Sequence, residues 1–137
     1  YVISVDSKNS FEELYSSKFL DVNLIWNEGI AFGLFSASHE NWYNILTIVI
    51  VFTALIILIM SIKQDGVQKY FLLIVFGGAL GNLYDRIFFK AVPDFIDLHV
   101  GNFHWFIFNI ADIFITFGVI MLILWEILPL NRNYEKR

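Results

Sequence analysis

Three stretches of this chain put chemically capable side chains where an apolar sequence would not otherwise carry them. Asp112 stands inside FNIADIFITFG, with Asn109 three residues before it and the small Ala111 beside it. An ionisable group at membrane depth is costly to keep without a partner or a task. A second cluster reads Gly77-Gly78-Ala79-Leu80-Gly81-Asn82-Leu83-Tyr84-Asp85-Arg86. On a helix, Gly77 and Gly81 form a small-xxx-small face, and Gly78, Asn82 and Asp85 fall on one polar stripe. A third reads Ala91-Val92-Pro93-Asp94-Phe95-Ile96-Asp97-Leu98-His99, with Asp94 wedged between Pro93 and Phe95 and Asp97 as its competitor. Two carboxylates held close share a proton, because both cannot ionise easily. Asp94 and Asp112, brought together, can do acid–base hydrolysis. One takes a proton from water while the other polarises the scissile carbonyl, with no metal, cofactor or covalent intermediate required.

Each cluster also has a plainer reading. Asp112 can be an interhelical hydrogen-bond anchor, the glycines can simply pack helices, and Asp94 can be a solvated loop residue. A small proton-coupled transporter with Asp112 as carrier, or a structural membrane subunit, is therefore the alternative to an enzyme. Asp→Asn substitution separates them: a scaffold tolerates it at both sites, a carrier fails chiefly at Asp112, and a dyad fails at both. Other chemistries are absent from the sequence. It has no cysteine, no GxSxG elbow and no HExxH, since His39-Glu40 is followed by Asn41, Trp42 and Tyr43. His99 and His104 lie close in sequence without a convincing third ligand, so no metal is expected there.

These residues are positioned by three candidate membrane helices, over residues 42–62, 67–84 and 105–128. Residues 45–62 carry no charge at all, which suits a helix crossing hydrocarbon. Pro129 ends the third. The turn between the first two spans and the tail at residues 129–137 must share a side, and together they hold Lys63, Lys69, Arg132, Lys136 and Arg137. The positive-inside rule makes that side cytoplasmic. Residues 1–41 and the loop at 85–104 then lie outside the cytoplasm, with Trp26, Trp42 and Trp105 near the outer span ends and Trp125 near the inner one. Within residues 19–35, Val22, Leu24 and Trp26 alternate with polar neighbours, Asn27-Glu28-Gly29 reads as a turn, and an apolar run follows. A short β-hairpin lying on the membrane surface fits this pattern. Nothing in residues 1–41 carries them across the bilayer, so a preceding helix is expected, giving four spans with both ends cytoplasmic. The alternative is a three-helix chain with a short translocated N-terminus.

Composition agrees with a membrane setting. Of the 137 residues, 58% are apolar and 16% charged, against about 45–50% and 25% in an ordinary soluble domain. A disordered chain and a nucleic-acid-binding tail are excluded, and the net charge of -4 is too small to name a partner. One membrane domain, residues 1–137, is expected.

Four motifs in order resemble the bacterial lipoprotein signal peptidase (signal peptidase II) family: Asn27-x-Gly29-x-Ala31-Phe32, then Gly77-Gly78-Ala79-x-Gly81-Asn82-x-x-Asp85-Arg86, then Val92-x-Asp94-Phe95, then Phe108-Asn109-x-Ala111-Asp112. The resemblance spans roughly residues 20–128 and implies an aspartyl endopeptidase of the bacterial inner membrane. Its fold would be an all-α transmembrane bundle of four helices with a small extracytoplasmic β-cradle. It would remove the signal peptide from prolipoproteins, cutting before a cysteine that already carries diacylglycerol. The implied catalytic pair is Asp94 and Asp112, with Asn27, Gly29, Ala31, Gly81, Asn82, Asp85, Arg86, Asn109 and Ala111 in support. It also implies inhibition by the cyclic peptide globomycin, contact with membrane lipids, a monomer, no cofactor and an active site at the extracytoplasmic face. The family's first helix, with its D-x-x-x-K pattern, has no counterpart here, and Asp6 with Lys8 does not replace it. A chain without that wall of the bundle is expected to lose activity. Pro93, where relatives carry an aliphatic residue, pre-sets the backbone before Asp94 and is expected to do little harm.

Overall fold

The computed structural model describes residues 15–29 and 40–128. Its helices are α1 (Glu40–Lys63), α2 (Val67–Phe89) and α3 (Ile110–Ile127). Its strands are β1 (Tyr15–Ser16), β2 (Leu20–Asn27), β3 (Val92–Val100) and β4 (Phe103–Phe108), which form one antiparallel sheet in the order β1-β2-β3-β4. The fold is an all-α membrane bundle with a small sheet.

Tyr43–Lys63, Val67–Phe89 and Ile110–Ile127, of 21, 23 and 18 residues, are long and apolar enough to cross a membrane. Large apolar side chains point outward along all three; Phe52, Leu80 and Ile123 are examples. A helix that is apolar around its whole circumference suits lipid as its solvent. Apart from Arg86, the buried helix positions are small or branched, among them Ala54, Ser61, Leu72 and Val75. In a bilayer, helices gain little by hiding leucine from lipid, so close backbone approach and van der Waals packing must hold them.

Three element boundaries differ from the sequence expectation. The helix expected over 67–84 continues to Phe89, so Asp85 and Arg86 lie within it and not in a loop. It ends at Lys90, whose φ of 61° is the left-handed conformation that terminates helices. The helix expected over 105–128 begins only at Ile110, because residues 105–108 belong to β4. The expected loop 85–104 is mostly the end of α2 and the β3–β4 hairpin. The first half of the expected hairpin is β2, but its partners among the described residues are β1 and β3. Its second half at residues 30–35, the tail at 129–137 and the side chain of Trp42 lie outside the described residues.

The chain divides into two compact units. One comprises Tyr1–Thr47 and Tyr84–Asn109, the other Ile48–Leu83 and Ile110–Arg137. In the first, β3 and β4 meet at Gly101-Asn102. Gly101 takes φ 60°, the positive angle that a two-residue hairpin turn with glycine first requires. In the same unit, the Tyr43 hydroxyl donates to the Arg86 carbonyl at 2.5 Å, tying the start of α1 to the last turns of α2. Trp26 of β2 packs on Phe89, ring centroids 5.8 Å apart.

In the second unit, α2 and α3 pack through glycine. A Cβ at Gly78 would lie 2.6 Å from the Ala111 carbonyl oxygen, and one at Gly81 would lie 3.3 Å from the Ala111 Cβ. Gly118 of α3 faces Phe71 and Val75 of α2 with equal closeness. Gly77 meets nothing within 4 Å. The packing face is therefore Gly78 with Gly81, and not the Gly77/Gly81 pair read from the spacing.

Candidate active site

In the sheet-bearing unit, Asp94 sits near the start of β3, opposite Ile25 of β2, and is 5% exposed. Both its carboxylate oxygens accept hydrogen bonds. Asn109 Nδ2 donates to Oδ1 at 2.7 Å and Asn27 Nδ2 donates to Oδ2 at 2.9 Å. Asn27 ends β2, and its own Oδ1 accepts the Gly29 N–H at 2.9 Å. That backbone bond claims the carbonyl end of the amide, so the NH₂ end must face Asp94. Gly29 is held from its other side as well, because Arg86 Nη2 donates to its carbonyl at 2.7 Å. Arg86 is buried at 6% exposure on α2. Asn27, Gly29, Arg86, Asp94 and Asn109 thus form one connected polar group, every link of it made by a side-chain amide, a guanidinium or a backbone atom.

In the other unit, Asp112 lies in the first turn of α3, since the helix starts later than the expected residue 105. Unsatisfied N–H groups and the helix dipole make the first turn the best place on a helix for a carboxylate. Asn82 Nδ2 of α2 donates to Asp112 Oδ1 at 2.8 Å, while the buried Asn82 Oδ1 has no hydrogen-bond partner. Ala111, beside Asp112, is the residue against which Gly78 and Gly81 pack. Close packing of α2 on α3 therefore brings Asn82 within reach of Asp112.

Asn109 immediately precedes α3, at the capping position that asparagine favours. It therefore lies outside the helix that carries Asp112. Instead its side chain belongs to the Asp94 group. Asp85 is half-buried on α2 next to Arg86. Ala31 lies outside the described residues.

Sequence reasoning missed one cluster. His99 and His104 face each other across β3 and β4, their rings stacked at 5.1 Å. The third ligand-type group that the sequence had not supplied is Asp97, whose Oδ2 lies 2.9 Å from His104 Nδ1. The signal was the two-residue spacing of Asp97 and His99, which places them on one face of a strand.

A family model described as signal peptidase (SPase) II matches residues 1–128 of this chain. A lipoprotein signal peptidase from Pelagibacter ubique (strain HTCC1062) is 47% identical over 137 residues, covering 100% of this chain and 82% of that protein. One from Francisella tularensis subsp. mediasiatica (strain FSC147) is 44% identical over 116 residues, covering 82% of this chain and 72% of the relative. A solved bacterial membrane enzyme, obtained by the in meso method at 2.3 Å, superposes with a TM-score of 0.68 at 28% identity, covering 96% of this chain and 82% of that one.

Proposed function

The chain belongs to the signal peptidase (SPase) II family, and from that premise we propose that Asp94 and Asp112 are the carboxylate pair with which it cleaves signal peptides from prolipoproteins. It is a hydrolase and a multi-pass protein of the bacterial inner membrane. The observation that carries the assignment of the pair is that each carboxylate is aimed by asparagine amides: Asp94 by Asn27 and Asn109, Asp112 by Asn82. An amide fixes a carboxylate's orientation without supplying a full counter-charge. Each carboxylate therefore remains able to hold or release a proton.

The chemistry needs one aspartate ionised and the other protonated. The ionised carboxylate takes a proton from water as the water oxygen attacks the scissile carbonyl carbon. The protonated carboxylate gives its proton to the carbonyl oxygen. As the tetrahedral intermediate collapses, the proton taken from water passes to the leaving nitrogen, the C–N bond breaks, and the second carboxylate takes its proton back from the new carboxyl group. The Asn82 Oδ1, buried and without a hydrogen-bond partner, is an acceptor for a peptide N–H of the bound segment. No residue other than the two aspartates need change protonation state.

The substrate's apolar segment enters from lipid, and its diacylglyceryl chains stay there. That holds the bond before the modified cysteine at the extracytoplasmic surface, where proximity replaces tight binding. The chain acts as a single domain and as a monomer, and globomycin blocks it by occupying the same place. Gly78 and Gly81 are filled by α3 and leave no groove for substrate, so the segment is received elsewhere. The end of β2 is our choice, with Asn27 and Gly29 as the clamp. Asn27→Ala removes one donor to a charged group, worth about 1.5 kcal/mol, and should lower kcat/KM by roughly tenfold. Gly29→Trp, at a buried residue bonded on both sides, should lower it further. Wild-type rates in both variants on a lipidated prolipoprotein would remove the clamp. The assignment as a whole is tested by a gel-shift cleavage assay on diacylglyceryl-modified prolipoprotein in detergent, with Asp94→Asn and Asp112→Asn beside the parent. Cleavage at the parent rate by either variant overturns that aspartate's role.

A further inference from the structure

On the same sheet, away from the Asp94 group, four side chains with metal-binding atoms meet on one face. Asp97 and His99 alternate along β3 and so share that face. Asp21 of β2 is the register partner of Asp97, and His104 of β4 is the register partner of His99. The last pairing depends on a bulge. Ile96 and Asp97 pair with Phe108 and Ile107, and an unbroken ladder would set His99 opposite Trp105. The register shifts between Asp97 and His99, and His104 takes that place. Bulges re-aim side chains in this way.

One ligand atom from each of Asp97, His99 and His104 lies within 4.8 Å of the others. His99 Nδ1 is 3.5 Å from Asp21 Oδ2. The Asp97 side chain is 7% exposed, that of His99 10% and that of Asp21 13%, whereas His104 is open at 53%. Three buried atoms here have no hydrogen-bond partner: Asp97 Oδ1, Asp21 Oδ1 and His99 Nδ1. Buried polar atoms are normally paired. Two buried carboxylate acceptors left over together, beside a half-exposed histidine through which an ion can enter, ask for a cation.

We infer that Asp97, His99 and His104 bind a divalent transition-metal ion of the zinc type. Two imidazoles and a carboxylate are a donor set that suits zinc. Asp21 lies behind His99, where a carboxylate orients a ligating ring and raises its basicity. The bound ion clips β3 to β4 on the strand that also carries Asp94. It has no part in cleavage, so its detection is independent of the peptidase reading.

Co²⁺ is the probe, because its visible absorption reports tetrahedral nitrogen and oxygen ligation. The full-length protein, purified without a histidine tag and stripped with chelator in detergent, should bind one Co²⁺ per chain and develop that absorption. Stoichiometric Zn²⁺ should displace it and raise the thermal midpoint. His99→Ala and Asp97→Asn should each weaken Co²⁺ binding at least tenfold, and Asp21→Asn about tenfold. His104→Ala alters an exposed residue and decides the matter if a buried variant misfolds. An unbound wild-type protein, or Co²⁺ binding unchanged in His104→Ala, overturns the site.

Discussion

Asp112→Asn is expected to remain folded and to lose cleavage by about 10³-fold, near the middle of the range for removing a general acid or base. That corresponds to about 4 kcal/mol of transition-state stabilisation. The loss should fall on kcat, since an asparagine of the same size can still meet substrate. Asp94→Asn should lose as much activity but differ in stability, and the hydrogen bonds say why. Asp112 receives the Asn82 amide on Oδ1, and an asparagine there can present its own oxygen to the same donor. Asp94 receives an NH₂ group on each oxygen, from Asn109 and from Asn27. An asparagine at 94 must set its NH₂ against one of them. A buried donor facing a donor costs about 1–3 kcal/mol, so Asp94→Asn should melt lower than Asp112→Asn. Adding Asn27→Asp to Asp94→Asn supplies an acceptor for the new amide and should recover part of the midpoint without recovering activity. Equal melting of the two single variants would mean that Asp94 is not held as described. Retained cleavage in either would mean that it is not catalytic.

The membrane spans were legible because hydrocarbon imposes length and apolarity together, and residues 45–62 satisfy both without a charge. The boundaries were not, for a reason visible in particular residues. Trp105-Phe106-Ile107-Phe108 is apolar and runs straight into Ile110. A continuous apolar run does not by itself distinguish strand from helix. The cue that would have separated them is Asn109, a capping residue standing at the junction. Asp85 and Arg86 misled in the opposite direction. Charge marks where a helix leaves hydrocarbon but not where its hydrogen bonding stops, and α2 continues to Phe89. The β3 strand was hidden by its own irregularity, since Asp94 and Asp97 are an odd number of residues apart and cannot show a clean alternation of polar and apolar residues.

The aspartates themselves stood out as carboxylates in apolar surroundings, but their partners did not. Asn27 is 67 residues from Asp94 and Asn82 is 30 from Asp112. No local spacing encodes a pairing of that range. Only the order of the four motifs pointed to it. The histidines show the complementary failure: their spacing was read as a loop, and a bulge in β4 supplied the geometry that made Asp97 their neighbour.

Helix rotation is the other quantity that composition cannot fix, and two adjacent glycines make it measurable. Gly77→Ala is expected to be neutral or slightly stabilising, because a Cβ there meets nothing within 4 Å and alanine is the better helix former by about 1 kcal/mol. Gly78→Ala, the same change one residue on, should destabilise by about 2 kcal/mol. Its Cβ would stand 2.6 Å from the Ala111 carbonyl oxygen and 2.7 Å from Ile115 Cγ1. The first of those atoms is backbone and cannot turn aside, so α2 and α3 must separate. Separation lengthens the Asn82–Asp112 bond that their close approach allows, and kcat should fall at least tenfold. Gly78→Leu should prevent stable folding. Thermal midpoints in detergent and cleavage rates at saturating substrate read both effects. If Gly77→Ala and Gly78→Ala behave alike, the α2–α3 face described here is wrong by one residue, and with it the setting of Asp112.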